Sequence, residues 1–159
     1  MTAADLRMTL ITAGLPATLW QLADETFETV SAEWVESNWG AWLEARPREL
    51  VQFAGIGGKS VRFRPLWIAE ASDCDNLALG VVTHAQVGNA LAAQKRGARR
   101  GGLAFGVMFY TAEGFVRGPH AINWFVDHEQ VVRFFEPAVG GFVSLNTAER
   151  SSAWFGLAA

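Results

Sequence analysis

The segments His120-Ala-Ile-Asn-Trp-Phe-Val126 and Val131-Val-Arg-Phe-Phe-Glu136, divided by a short polar stretch, constrain the fold of this chain most. The pair reads as a β-hairpin, Pro119–Asp127 with Val131–Glu136. Period two puts His120, Ile122, Trp124 and Val126 on one face. With a three-residue loop at 127–129, Val126 faces Gln130, Trp124 faces Val132, Ile122 faces Phe134 and His120 faces Glu136. A two-residue loop shifts Glu136 opposite Ala121 instead. In the favoured register a histidine and a carboxylate end an apolar face of Ile122, Trp124, Val132 and Phe134. That face is expected to pack on a helix, the one headed by Cys74 being the candidate.

The rest of the chain supplies the helices. Residues 3–13 read as a short helix with Thr2 as N-cap, Leu6, Leu10 and Ile11 on one face, and Gly14 and Pro16 at its end. A strand is expected near Phe27–Val30. Ser31 then caps a helix over about residues 32–45, in which Val35, Trp39, Trp42 and Leu43 share an amphipathic face; Arg46-Pro47 ends it. At this spacing Trp34, Trp39 and Trp42 read as core residues, with a carbohydrate-stacking or partner-binding platform as the alternative. The glycine-rich run Phe53–Lys59 lacks the frame of a phosphate loop and reads as a turn before a strand at Val61–Arg64. Ser72 or Asp73 caps a long helix reaching residue 94. Strands follow at Leu103–Tyr110, in the hairpin, and near Phe142–Leu145. Trp154-Phe155 either docks back on the domain or mediates assembly.

About half of the 159 residues are apolar and 18% are charged, which excludes disorder and implies one globular domain over 1–159. The net charge of −3, without a long basic run, argues against nucleic acid as a partner. No apolar stretch is long enough to span a membrane, and the N-terminus lacks a signal-peptide pattern, so a cytoplasmic protein is expected.

The chain has one cysteine, which excludes an internal disulfide and a multi-cysteine zinc site. Cys74 falls in the first turn of the long helix, where unpaired N–H groups and the macrodipole favour a nucleophilic thiol. It needs a histidine from elsewhere in the fold. His84 lies ten residues along the same helix, about 15 Å away, and cannot reach it. His128 falls in the hairpin turn, exposed. His120 remains, with Glu136 to orient its ring. Asn123 points to the other face and reads as a structural hydrogen-bonding residue.

Asp-Cys-Asp-Asn-Leu-Ala at 73–78, Gly-Val-Met-Phe at 106–109, His-Ala-Ile-Asn-Trp at 120–124 and Val-Arg-Phe-Phe-Glu-Pro at 132–137 resemble the papain-like cysteine protease domain of mushroom chimerolectins such as Marasmius oreades agglutinin. The match covers about residues 65–140, so the chain looks like a free-standing prokaryotic or phage relative, cytoplasmic, virion-associated or released. The resemblance implies a papain-like α+β fold: a helical N-terminal part (1–50), then a catalytic-like core (65–140) with the nucleophile helix packed on an antiparallel sheet. It implies Cys74 as nucleophile, His120 as general base and Glu136 as the residue orienting the imidazole. It further implies calcium or manganese beside the site, held by Asp75 and Glu136, with Asn76 where the family often has a second acid.

The expected function is therefore a papain-like cysteine hydrolase, a thiol peptidase or amidase acting on a peptide or peptidoglycan-like amide. An acyl transferase would use the same thiol. The alternative is a catalytically weak or inactive binding or assembly module, phage- or toxin-associated and open to oligomerisation. Two departures favour that alternative: Ala138 stands where the family has a glutamine, and residues 66–73 contain no glutamine to bind an oxyanion.

Overall fold

The computed structural model describes the chain except residues 18–19, 43–47, 56–57, 66–72, 98–100, 115–116 and 159, with backbone alone at 40–41 and 48–65. The described residues form an α+β fold. Its centre is a six-stranded sheet, ordered β1 (Trp20–Leu22), β10 (Phe155–Ala158), β6 (Phe105–Ala112), β7 (Gly118–Val126), β8 (Val132–Glu136) and β9 (Gly141–Val143). β1 and β10 run parallel; every other neighbour pair in this sheet is antiparallel. Two small sheets stand apart, β2 (Phe27–Glu28) with β5 (Gly102–Leu103) and the hairpin β3 (Arg48–Gly55) with β4 (Gly58–Pro65). The expected strand Val61–Arg64 lies inside β4, and β3 is its partner; the predicted helix end at Arg46-Pro47 lies outside the described residues.

Local chemistry sets the helices. In α1 (Ala3–Thr12), the Thr2 hydroxyl accepts the Asp5 N–H and the Asp5 carboxylate accepts the Thr2 N–H, a reciprocal capping box. In α2 (Ala32–Trp42), the Ser31 hydroxyl accepts the Trp34 N–H. α3 (Cys74–Lys95) begins after Asp73, and the short α4 (Thr147–Ser151) after Asn146. None of the described helices is long and apolar enough to cross a membrane.

The sheet is covered on both faces, and the partner of each face differs from the expectation. Ile122, Trp124 and Phe134 pack with Leu6 and Leu10 of α1, with Trp20 and with Met108. The rings of Trp20 and Trp124 meet edge to face at 5.3 Å. α3 lies on the opposite face: Leu77, Ala78, Val81 and Ala85 pack on Phe105, Val107, Ala121, Phe125 and Phe135, with Val35 and Trp42 of α2 closing that core. The physical reason lies in side-chain size and in Asn123. The odd-numbered face offers Ala121 and Val107 to the small residues of α3, whereas the two indoles fill the even-numbered face. The buried Asn123 amide fixes the helix by donating to the carbonyls of Ala78 (2.9 Å) and Gly106 (3.2 Å). Trp154-Phe155 docks back, since β10 inserts between β1 and β6.

The hairpin register also differs. Val126 pairs with Val132 and Trp124 with Phe134, so residues 127–131 form the connection instead of 127–129. The cause is the Asp127 side chain: Oδ1 accepts the N–H groups of Glu129 (3.0 Å) and Val131 (2.9 Å), while Gln130 takes a positive φ of 60°. The slip is two residues. An even slip keeps every side chain on its face, so Glu136 stays on the face of His120, displaced diagonally rather than directly opposite.

Candidate functional site

The site grows from a parting of strands. β7 and β8 pair only from Asn123 with Phe135 to Val126 with Val132; nearer the start of β7, His120 pairs with Tyr110 of β6. Side chains bridge the resulting gap. His120, only 5% exposed, meets Glu136 with 2.6 Å between Nε2 and Oε2. The other carboxylate oxygen of Glu136 accepts the Ala138 N–H at 3.0 Å, which fixes its orientation. The second ring nitrogen, Nδ1, is buried and has no partner at full hydrogen-bond geometry. Cys74, half-buried at the head of α3, also interacts with the ring. Nε2 is taken by Glu136, and the thiol is among the groups that interact with the ring.

The electrostatics follow from this packing. Burial pushes the His120 pKa down, but the Cys74 and Glu136 interactions outweigh it and lift the value from 6.5 to about 9. The ring is a stronger base than a free imidazole and carries a proton at neutral pH. Tyr110, the only tyrosine, packs edge to face against His120 with 5.8 Å between ring centroids. Burial and then the charge of Glu136 push its hydroxyl well above the usual range, so it is a neutral wall.

Behind Glu136, the chain turns tightly. The Gly140 N–H donates to the Glu136 carbonyl at 2.9 Å, and the Trp39 indole donates to the Pro137 carbonyl at the same distance. Gly140 has a φ of 66°, and a Cβ there would meet the Trp39 ring at 2.8 Å, so glycine is required on both counts. Trp39 therefore backs the turn that follows Glu136, and Trp42 is core at 6% exposure.

Among the sequence-predicted residues, Cys74, His120 and Glu136 are brought together. Asn123 holds α3, His84 is exposed along the helix, and His128 is exposed with Nδ1 2.7 Å from the Thr29 hydroxyl. Tyr110 and Trp39 were missed. Strand parity in a chain with one tyrosine could have found the first; the second needs the tertiary fold. The calcium or manganese implied beside Asp75 and Glu136 would share its ligands with existing hydrogen bonds. Both oxygens of Glu136 already accept N–H donors, and the Asn76 amide donates to Asp73 at 2.9 Å. A hard cation takes six to eight oxygens, and no group of three His, Cys, Asp or Glu side chains converges among the described residues.

No protein-family model matches the chain, and no curated protein matches it significantly. Several solved structures are similar, two of them as follows. A PSL1a–E64 complex is 26% identical with a TM-score of 0.67, covering 99% of this chain and 50% of that one. Polyporus squamosus lectin bound to the human-type influenza-binding epitope Neu5Acα2-6Galβ1-4GlcNAc is 26% identical with a TM-score of 0.63, covering 99% and 49%. The chain thus spans about half the length of these proteins.

These findings correct the resemblance drawn from the sequence. These two structures are of a lectin from Polyporus squamosus, not of the papain-like protease domain of Marasmius oreades agglutinin. The assignment as a cysteine hydrolase, peptidase or amidase, with a peptide or peptidoglycan-like amide as partner, is overturned with it: the ligand named with that lectin is a sialylated glycan. The alternative of a phage- or toxin-associated assembly module gains no support either. The physical reason is that motifs of four to six residues specify where a histidine, a carboxylate and a thiol stand. They do not specify what the surrounding surface binds.

Proposed function

We propose that Cys74, His120 and Glu136 form a nucleophilic thiol centre that captures an electrophilic carbon. The observation that carries this reading is the buried His120 ring, held by Glu136 at 2.6 Å and interacting with Cys74. The imidazolium assists sulfur, whose own proton goes to solvent, as it attacks; Sγ–C forms, the bond from carbon to the leaving group breaks, and the imidazolium gives its proton to the departing atom. Glu136 stabilises the imidazolium and orients the ring. We also read residues 1–159 as one domain of papain-like arrangement, a reading supported by α3 lying on the antiparallel strands that carry His120.

The test is alkylation by iodoacetamide at pH 6, read by intact mass on the single thiol. Cys74 is expected to react much faster than free cysteine, and an equal rate would sink the proposal.

A second reading is carbohydrate binding, favoured by the likeness to a lectin bound to a sialylated trisaccharide. Calorimetric titration with Neu5Acα2-6Galβ1-4GlcNAc tests it: saturable heat supports it, and none at millimolar glycan counts against it.

A further inference from the structure

The long helix places its first residue over one level of the sheet. Gln86 exchanges hydrogen bonds with Leu103 and donates to the Phe105 carbonyl, while Asn123, paired with Val107, donates to Ala78. α3 therefore runs antiparallel to β6, residue 86 standing over 103–105 and residue 78 over 106–107. One more turn back to Cys74 is about 6 Å of helix, or roughly two residues of strand. That brings the sulfur-bearing residue to the level of Phe109, and both pack against the same core.

Phe109 is not alone there. It pairs with Phe155 on one side and with Ala121, the neighbour of His120, on the other. Its ring lies 5.8 Å from that of Phe155 and 6.4 Å from that of Trp154. Trp154 and Phe155 are 42% and 37% exposed, so two large rings face solvent beside Phe109. The Trp154 N–H donates to the Phe109 carbonyl at 3.0 Å, a main-chain anchor that survives loss of the side chain.

We propose that Phe109, Trp154 and Phe155 form an aromatic subsite that binds a flat apolar substituent, of aryl type, on the electrophile captured by Cys74. The inference rests on the thiol-centre reading and adds the chemical class of the group beside the reacting carbon. Ring contacts of this kind contribute enough to change a rate about three- to tenfold.

The experiment compares iodoacetamide with N-phenyl iodoacetamide on the intact protein, with free cysteine as reference. The ratio of phenyl to plain rates is expected to exceed that of free cysteine about tenfold. Trp154→Ala and, separately, Phe155→Leu should lower it at least threefold while the plain iodoacetamide rate stays unchanged. A ratio equal to that of free cysteine, or one that neither substitution moves, overturns the subsite. A variant that slows both reagents equally overturns it too, because the rings would then support the centre and not the substituent. Failure of the thiol centre reads separately, as a plain iodoacetamide rate no faster than that of free cysteine.

Discussion

The two ends of the β7–β8 hairpin use the same ingredients for opposite purposes. At the turn, Asp127 accepts backbone N–H groups and pairs with Arg133 at 2.7 Å. At the open end, Glu136 accepts a backbone N–H and pairs with His120 at 2.6 Å. The turn carboxylate closes a ladder and sets which residues face each other. The other sits where the ladder has ended, and it holds a titratable ring that also interacts with a thiol. The lesson is one of satisfaction: the Asp127 oxygens and the Arg133 head are matched to each other, whereas the His120 end keeps a buried, unbonded Nδ1. A buried polar atom without a full partner is costly in a purely structural network.

The comparison breaks most sharply at His120. If the open end is a reactive centre, His120→Ala should slow Cys74 alkylation at pH 6 by a factor on the order of 10³, the scale of a lost acid–base partner. Intact-mass kinetics on the single thiol measure this. An unchanged rate would make both ends structural. The turn end should show the reverse pattern. Asp127→Ala removes the acceptor of two N–H bonds and one ion pair, costing about 2–3 kcal/mol of stability. Urea denaturation reads that loss, and the alkylation rate of the folded variant should stay within a factor of two.

Much of this was legible because strand parity is robust. The sequence puts His120 and a carboxylate on one face, and a slip of two residues leaves that statement intact. The loop length was not legible: it depends on one aspartate oxygen gathering two N–H groups and on Gln130 taking a left-handed conformation, and neither appears in a pattern of apolar residues. The helix headed by Cys74 was readable from its caps and periodicity, but the face it covers was not. Both faces of β7 are apolar, and the choice falls to the size match between Ala121 and Ala78 and to the Asn123 amide. β1 and β10 were missed as strands because residues 20–22 and 155–158 are too short to show a period. The ligand class was the least legible, since it depends on surface assembled from distant segments such as Phe109 and Trp154.

A subtler separation comes from Glu136→Gln. The amide keeps the shape and removes the charge, so the His120 titration midpoint, read by NMR, should fall from about 9 toward the ordinary 6.5. The alkylation rate at pH 6 should fall about tenfold, less than for His120→Ala, because a positioning residue is lost and the base remains. A midpoint that does not move would mean that Glu136 is a structural cap like Asp127.

The smallest effect belongs to Arg133, and it tests what sets the register. Its guanidinium pairs with Asp127 and lies 3.8 Å from Glu129, but its side chain is 45% exposed. An exposed pair contributes about 0.5–1 kcal/mol, so Arg133→Met, which keeps the stem, should cost no more than that in urea denaturation. A larger loss would mean that the ion pair, not the two N–H bonds, closes the turn. The pH dependence adds a second check. Burial pushes the Asp127 pKa up, but the Val131 N–H and Arg133 outweigh it and hold the value below 3.8. The stability from Asp127 is thus present above about 3.8 and lost as pH falls through the lower folded value. His120 behaves oppositely: with its folded value raised, its contribution is complete below 6.5 and lost as pH rises through about 9. Arg133→Met should therefore move the acid limb of the stability profile upward and leave the alkaline limb unchanged, whereas Glu136→Gln should flatten the alkaline limb alone. A single substitution that moved both limbs would mean that the two ends of the hairpin are electrostatically one unit.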